Sequence, residues 1–310
     1  MALYAFDGTG QNDNNNPNDW AAVSGETNIY RFFSAYKANS GPMGHTCEYV
    51  QGVGTKYGFA GRVIGGAFGA GWLSRINSAA ECLGHAYAAG DTNIDVIGFS
   101  RGAAIALDFV NKVAKEGVRL DGKVLNARPA IRFVGLFDVV AAFGVANLGL
   151  LFTEFNPLHH LTLPGNVENC YHAMSLDERR TSFENQRVEG AYEVWFRGVH
   201  SDIGGGNDNP FFEYVALRWM YAKAMLCGLP IIEANTDSVQ VHPELPIKPN
   251  PLCKISRFWR QVKTTDRVHY AVAQHLPLPG EDLRAVPPGC PIETAADERA
   301  LKVAPGVVTN

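Results

Sequence analysis

The sequence predicts an α/β fold, a mainly parallel central sheet with helices on both faces. Three observations predict it. Strand-like apolar runs alternate with amphipathic helical runs from Ala2 to Gly228. The inner runs "NIDVIGF" and "AIRFVGLFD" are apolar at nearly every position, as strands covered on both faces must be. The helical runs stop at glycines, Gly90 and Gly117, which punctuate the units.

The elements follow in order. "ALYAFD" alternates as a strand and ends in Asp7-Gly8-Thr9-Gly10, followed by an Asn/Asp-rich loop. "ETNIYRFFSAYKAN" reads as a helix, with Thr27 placed to cap it and Ile29, Phe32, Phe33 and Tyr36 at helical spacing. "HTCEYVQGVGT" reads as a short strand ending in a glycine turn. The stretch from Gly58 to Gly71, "GFAGRVIGGAFGAG", holds six glycines and reads as a flexible loop. "WLSRINSAAECLGHAYAAG" is a helix, "NIDVIGF" a strand, and "RGAAIALDFVNKVAKEG" a helix with Leu107, Val110 and Ala114 on one face. "AIRFVGLFD" and "AYEVWFRGVH" are the next strands, and "PFFEYVALRWMYAKAMLCG" is a long helix with Pro210 in its first turn.

The tail beyond Leu229 differs in composition, holding 11 of the 17 prolines. It reads as extended segments packed on the main body, so the organisation expected is one domain over 1–310, with a core at 2–228 and an extension at 229–310. "FWRQVKTTDRVHYAV" is the part of the tail expected to be ordered.

The chain has 310 residues, 46% of them hydrophobic, enough for a large core. A net charge of -4 gives no overall basic field for nucleic acid. The N-terminus lacks the charged and apolar regions of a secretory signal. The most apolar segment, Val139 to Phe152, is shorter than the ~20 residues that span a bilayer. A soluble protein made in the cytoplasm is expected. The six cysteines show no CxxC spacing and read as free thiols rather than zinc ligands. No cofactor is called for. Asp202, Asn207 and Asp208 offer oxygen ligands but lack the spacing of a calcium loop, so no metal site is assigned.

The chemistry is concentrated in "VIGFSRGAA". G-x-S-x-G between a strand and a helix is the nucleophile-elbow pattern. The turn holds Ser100 in a strained conformation, Gly98 and Gly102 remove side chains that would clash, and the helix N-terminus favours developing negative charge. The backbone N–H of Arg101 is the natural first oxyanion donor. The second is expected after the first strand, from Gly8 or Thr9, with Asp7 organising that loop. A serine hydroxyl needs a histidine base, and the histidine an acid. Asp138 ends the strand "RFVGLFD" and so shares an edge of the sheet with Ser100. Asp108 is poorer, lying inside the helix after the elbow. His200 ends "VWFRGVH" on the same edge, followed by three glycines. The rivals are His269 in the tail, His172, the doublet His159 and His160, and His85 on a helix. Asp202 is a candidate for orienting the site or tying down the glycine turn. Two apolar segments are placed to line an acyl pocket or form a lid, through Phe59, Phe68 and Trp72 in one and Phe143, Leu148 and Phe152 in the other.

"FDGTGQ", "YVQGVGT", "GFSRGAA", "FVGLFDVV" and "WFRGVHSDIGGG" occur in that order. Together they resemble the uncharacterised bacterial and fungal α/β-hydrolase domains that include the phospholipase effectors of type VI secretion, over residues 2 to 228. The resemblance implies an α/β-hydrolase fold and a serine esterase or phospholipase, with Ser100, Asp138 and His200 as its triad. The first motif departs from the FDGTxN of the family, and the glycine signature runs on as "GGGNDN", which bears on substrate choice. The expected substrate is a lipid or other ester, met through peripheral membrane contact. An immunity or adaptor protein is the partner expected of a secreted effector, and contact-dependent export needs no cleaved signal. The alternatives are a short-chain or polyester esterase, or an interaction domain without catalysis.

Overall fold

The structure is a computed structural model and describes residues 2–8, 26–40, 48–50, 65–140, 161–207, 210–237, 259–275, 279 and 281–301. The elements run β1 (Ala2–Phe6), α1 (Asn28–Asn39), β2 (Glu48–Val50), α2 (Gly65–Ala88), β3 (Ile94–Phe99), α3 (Arg101–Glu116), the hairpin β4 (Val118–Leu120) and β5 (Lys123–Asn126), and β6 (Phe133–Phe137). Then come β7 (Cys170–Ser175), β8 (Tyr192–Phe196), α4 (His200–Gly204), α5 (Pro210–Leu226), α6 (Glu233–Asp237), β9 (Arg267–His269), α7 (Ala271–Gln274), β10 (Ile292–Glu293) and α8 (Ala295–Glu298).

Among the described residues one sheet has the order β2-β1-β3-β6-β7-β8-β9-β10. Every neighbouring pair in it is parallel. The chain steps from β1 outward to β2, then returns to place β3 on the other side of β1. That reversal puts a crevice at the carboxyl ends of β1 and β3, where open α/β sheets bind ligands.

Side-chain alternation builds two cores. Ala2, Tyr4 and Phe6 of β1 face one side with Trp72, Leu83, Phe109 and Val110 of α2 and α3. Leu3 and Ala5 face the other with Ile29, Phe32 and Trp219 of α1 and α5. Thr27 caps α1 as its position implies, its side chain accepting from the Tyr30 amide. Asp95, buried within β3, is held by the Tyr36 hydroxyl at 2.6 Å and the Arg132 guanidinium at 2.5 and 2.9 Å.

Three expectations change. The reading of Gly58–Gly71 as a loop fails from Gly65 onward, where α2 begins. Each helical glycine costs about 1 kcal/mol against alanine, but adding turns to an existing helix avoids the nucleation cost. His200 does not end a strand: β8 stops at Phe196, and His200 opens the one-turn helix α4. An additional strand, β7, lies between β6 and β8. The tail adds β9 and β10 to the sheet edge, where Val262, Val268 and Val272 pack with Met174, Leu176 and Trp195.

Candidate active site

Ser100 sits at φ 59°, ψ -128°, between β3 and α3. A non-glycine residue there costs on the order of 1–3 kcal/mol unless its surroundings hold it. Here they do: its N–H donates to the Phe137 carbonyl at 3.0 Å, and its carbonyl accepts from Ala103 at 3.1 Å and Val140 at 3.3 Å. The flanking glycines are sterically required. A Cβ on Gly98 would lie 2.6 Å from the Ala103 Cα, and one on Gly102 would collide with the backbone carbonyls of Phe6 and Asp7. The elbow is therefore packed directly against the end of β1.

Asp138 follows β6 at φ 43°, its N–H donating to the Ala173 carbonyl of β7 at 2.8 Å. His200 is set by the glycine-rich turn around it. Gly198 has φ 116°, and the Asp202 carboxylate accepts from the Val199 amide at 2.8 Å and from Asn207 Nδ2 at 2.7 Å. Gly204 lies so close to the Phe99 ring that any side chain would overlap it. The imidazole packs against Phe99, tilted, and Phe183, edge-on, at centroid distances of 4.7 and 4.8 Å.

These three segments bring their side chains together. Ser100 Oγ lies 2.9 Å from His200 Nε2, and His200 Nδ1 lies 2.6 Å from Asp138 Oδ2. An ionised carboxylate only accepts, so Nδ1 carries the proton and donates to Asp138. In the neutral ring Nε2 then accepts from the serine hydroxyl. All three side chains are buried.

Electrostatics support those protonation states. Burial pushes the Asp138 carboxyl up, but the Arg260 charge, and the hydrogen bond and charge of His200, outweigh it and hold it well below the ordinary carboxylate range. Burial lowers His200 below its ordinary 6.5, against the raising effect of Asp138. Arg180 lowers it further and Glu178 raises it. The resting imidazole is thus neutral and free to take a proton.

Arg260 is the group that sequence reasoning missed. Its guanidinium, fully buried, grips both oxygens of Asp138, Nη1 to Oδ1 at 2.5 Å and Nη2 to Oδ2 at 2.9 Å. It also donates to the carbonyls of Ser175 at 2.9 Å and Phe183 at 2.6 Å. The Ser175 amide gives Asp138 Oδ1 a further bond at 2.9 Å. Arg260 does fall within the stretch "FWRQVK" expected to be ordered, but nothing local marks its partner.

The other candidates fall elsewhere. His269 bonds to Glu298 at 2.6 Å and stacks on Phe196, while His172 bonds to Glu193 at 3.0 Å and accepts from the Val139 amide at 3.2 Å. His85 is exposed on α2, and Asp108 lies two turns into α3. Asp7 accepts from Thr27 Oγ1 and the Gly8 amide, each at 2.6 Å, and from the Tyr49 hydroxyl. Burial, against those three donors, pushes its carboxyl up to about 6. The Gly8 N–H, one of the two amides expected as the second oxyanion donor, is thereby engaged by the Asp7 carboxylate. Burial likewise raises Asp202 to about 7, against the bonds from Asn207 and Val199.

Thr9, Phe59, Phe143, Leu148, Phe152, His159 and His160 lie outside the described residues, as does the side chain of Phe68. Trp72 is buried in the core beneath α2 and α3. Among the described residues no group of three His, Cys, Asp or Glu side chains could hold a metal ion, and no helix is long and apolar enough to cross a membrane.

A parallel sheet with helices on both faces and a strained serine at a strand–helix elbow defines the α/β-hydrolase class. Residues 3–122 and 111–223 match the family model described as T6SS, Phospholipase effector Tle1-like, catalytic domain. The chain belongs to that family.

Among solved structures it is similar to an uncharacterised protein from Pseudomonas aeruginosa, with 20% identity, a TM-score of 0.47, and coverage of 79% of this chain and 49% of that one. It is also similar to a Tle1 effector bound to the VgrG spike of the type 6 secretion system, with 23% identity, a TM-score of 0.47, and coverage of 66% and 50%. The chain spans about half the length of these structures. No curated protein matches it.

Proposed function

We propose that the chain is a serine hydrolase of lipid carboxylic esters, acting through Ser100, His200 and Asp138. Ser100 Oγ attacks the ester carbonyl carbon as His200 Nε2 takes its proton, and Asp138 stabilises the imidazolium. The Arg101 amide at the start of α3 and the Thr9 amide hold the oxyanion. Collapse breaks the ester C–O bond, and the leaving alcohol takes the proton from His200. Water, deprotonated by His200, then attacks the acyl-serine and releases the fatty acid.

The observation that carries this reading is the hydrogen-bonded sequence Ser100–His200–Asp138 at the switch point of the sheet, with bonds of 2.9 and 2.6 Å. Membership of a phospholipase effector family supports a phospholipid substrate, contact with a membrane surface, and delivery by contact-dependent secretion. An adaptor that carries the chain and an immunity protein that blocks it are the protein partners this reading expects.

Mass spectrometry of products from mixed phospholipid vesicles tests it. Wild type is expected to yield fatty acid and lysophospholipid, and to prefer long acyl chains over short soluble esters. Turnover confined to short esters would make it a plain esterase, and product from S100A at the wild-type rate would remove Ser100 from the chemistry.

A further inference from the structure

Arg260 comes from the tail, beyond the residues that match the family model, yet it closes the innermost ion pair of the site. We infer that Arg260 is a positioning residue: it fixes the Asp138 carboxylate toward His200 and offsets its charge, so that the imidazole stays neutral under mildly acid conditions. This rests on the proposed roles of Ser100, His200 and Asp138.

The geometry is that of a clamp. Two parallel N–H···O bonds from a planar guanidinium fix the plane of the carboxylate as well as its distance. The clamp is itself fixed, because the same two nitrogens donate to the carbonyls of Ser175 and Phe183. Phe183 packs edge-on against the His200 ring, so one guanidinium holds both the acid and a wall of the imidazole pocket.

Charge balance gives the clamp a second consequence. A lone aspartate–histidine pair goes from -1 to neutral when the imidazole takes a proton. With Arg260 included, the group goes from neutral to +1 in a buried site, so protonation is disfavoured. The other charges facing His200 come from the turn after β7. Glu178 accepts from the His200 amide at 3.3 Å, and its carboxylate is spanned by Arg180 at 2.8 and 2.9 Å, so that pair is nearly neutral. Asp202, on the same short helix as His200, is turned toward Val199 and Asn207.

The test uses the full chain and compares R260M and R260K with wild type, with S100A as control. In R260M, once circular dichroism shows the variant folded, kcat should fall about 50-fold with KM within about threefold. The acid limb of its kcat profile should move up by roughly half a pH unit or more. R260K keeps the charge without the fork, so its acid limb should stay near that of wild type while kcat falls about fivefold. In a D138N background R260M should add less than about threefold.

A wild-type kcat and acid limb in R260M, with S100A inactive, would overturn the inference and leave the triad standing. A lower kcat with an unmoved limb in R260M, or an equal loss in the D138N background, would reduce Arg260 to a structural anchor of the tail and equally overturn it. An active S100A would instead remove the reading beneath it. Should R260M fail to fold, R260K decides: a lower kcat that shrinks to less than about twofold in a D138N background supports the clamp, and a wild-type kcat, or an equal loss in the D138N background, refutes it.

Discussion

Asp7 and Asp138 lie at the carboxyl ends of two strands of one sheet, on either side of the elbow, and both are buried. Their titrations nevertheless shift in opposite directions. Asp138 faces a guanidinium and an imidazole, and stays ionised. Asp7 faces a threonine hydroxyl, a tyrosine hydroxyl and an amide, and burial lifts it to about 6. Neutral donors reduce the cost of burying a carboxylate but do not cancel it, whereas a cation does. The same end of the sheet therefore holds, on one side of the elbow, a permanent charge suited to stabilising an imidazolium and, on the other, a carboxyl suited to tying the end of β1 to β2 and the start of α1.

The comparison breaks first at Asp138. D138N should lose about 10³–10⁴-fold in kcat, because an amide can stabilise neither the imidazolium nor the required tautomer. D7N should lose less than about tenfold in kcat/KM, since a neutral amide resembles what Asp7 becomes near its own titration. Comparable losses in steady-state assays of the two variants would end the distinction. Next in size is the packing that joins β1 to the elbow: G102A, forced into the Phe6 and Asp7 carbonyls, should lower unfolding stability in urea by about 2 kcal/mol.

Stability should then separate the two acids by pH. The folded state holds Asp7 near 6, above its ordinary 3.8. A raised acid contributes stability that is present below the unfolded value and is lost as pH rises through about 6. D7N should remove that loss, worth at most on the order of 3 kcal/mol, and flatten the urea stability profile between acid and neutral pH. The smallest effect is in the rate profile. Because burial lowers His200 below 6.5, the acid limb of wild-type kcat/KM should fall below that pH. An acid limb at or above 6.5 would mean that Asp138 outweighs the burial of the imidazole.

Legibility in the sequence followed the range over which each constraint acts. The elbow was readable because its demands are local: a strained serine and two glycines pressed against backbone lie within five residues. Asp138 and His200 were readable from position, since the ends of parallel strands share an edge. His200 reaches that edge although β8 stops at Phe196, because the turn after β8 returns there. β7 was hidden by His172 and Ser175, polar residues that look wrong for an interior strand. Glu193 satisfies the first, and the Gly198 carbonyl accepts from the second at 2.7 Å. Arg260 was unreadable for the opposite reason: it meets Asp138 across 122 residues, and its own neighbours record nothing of that contact.

The central claim is that Ser100 is the nucleophile that His200 activates. Labelling with a fluorophosphonate, followed by peptide mass spectrometry, tests it most directly. The adduct should map to Ser100 in wild type, vanish in S100A, and form at least about 100-fold more slowly in H200A. An adduct on another residue, or labelling of H200A at the wild-type rate, would contradict the account.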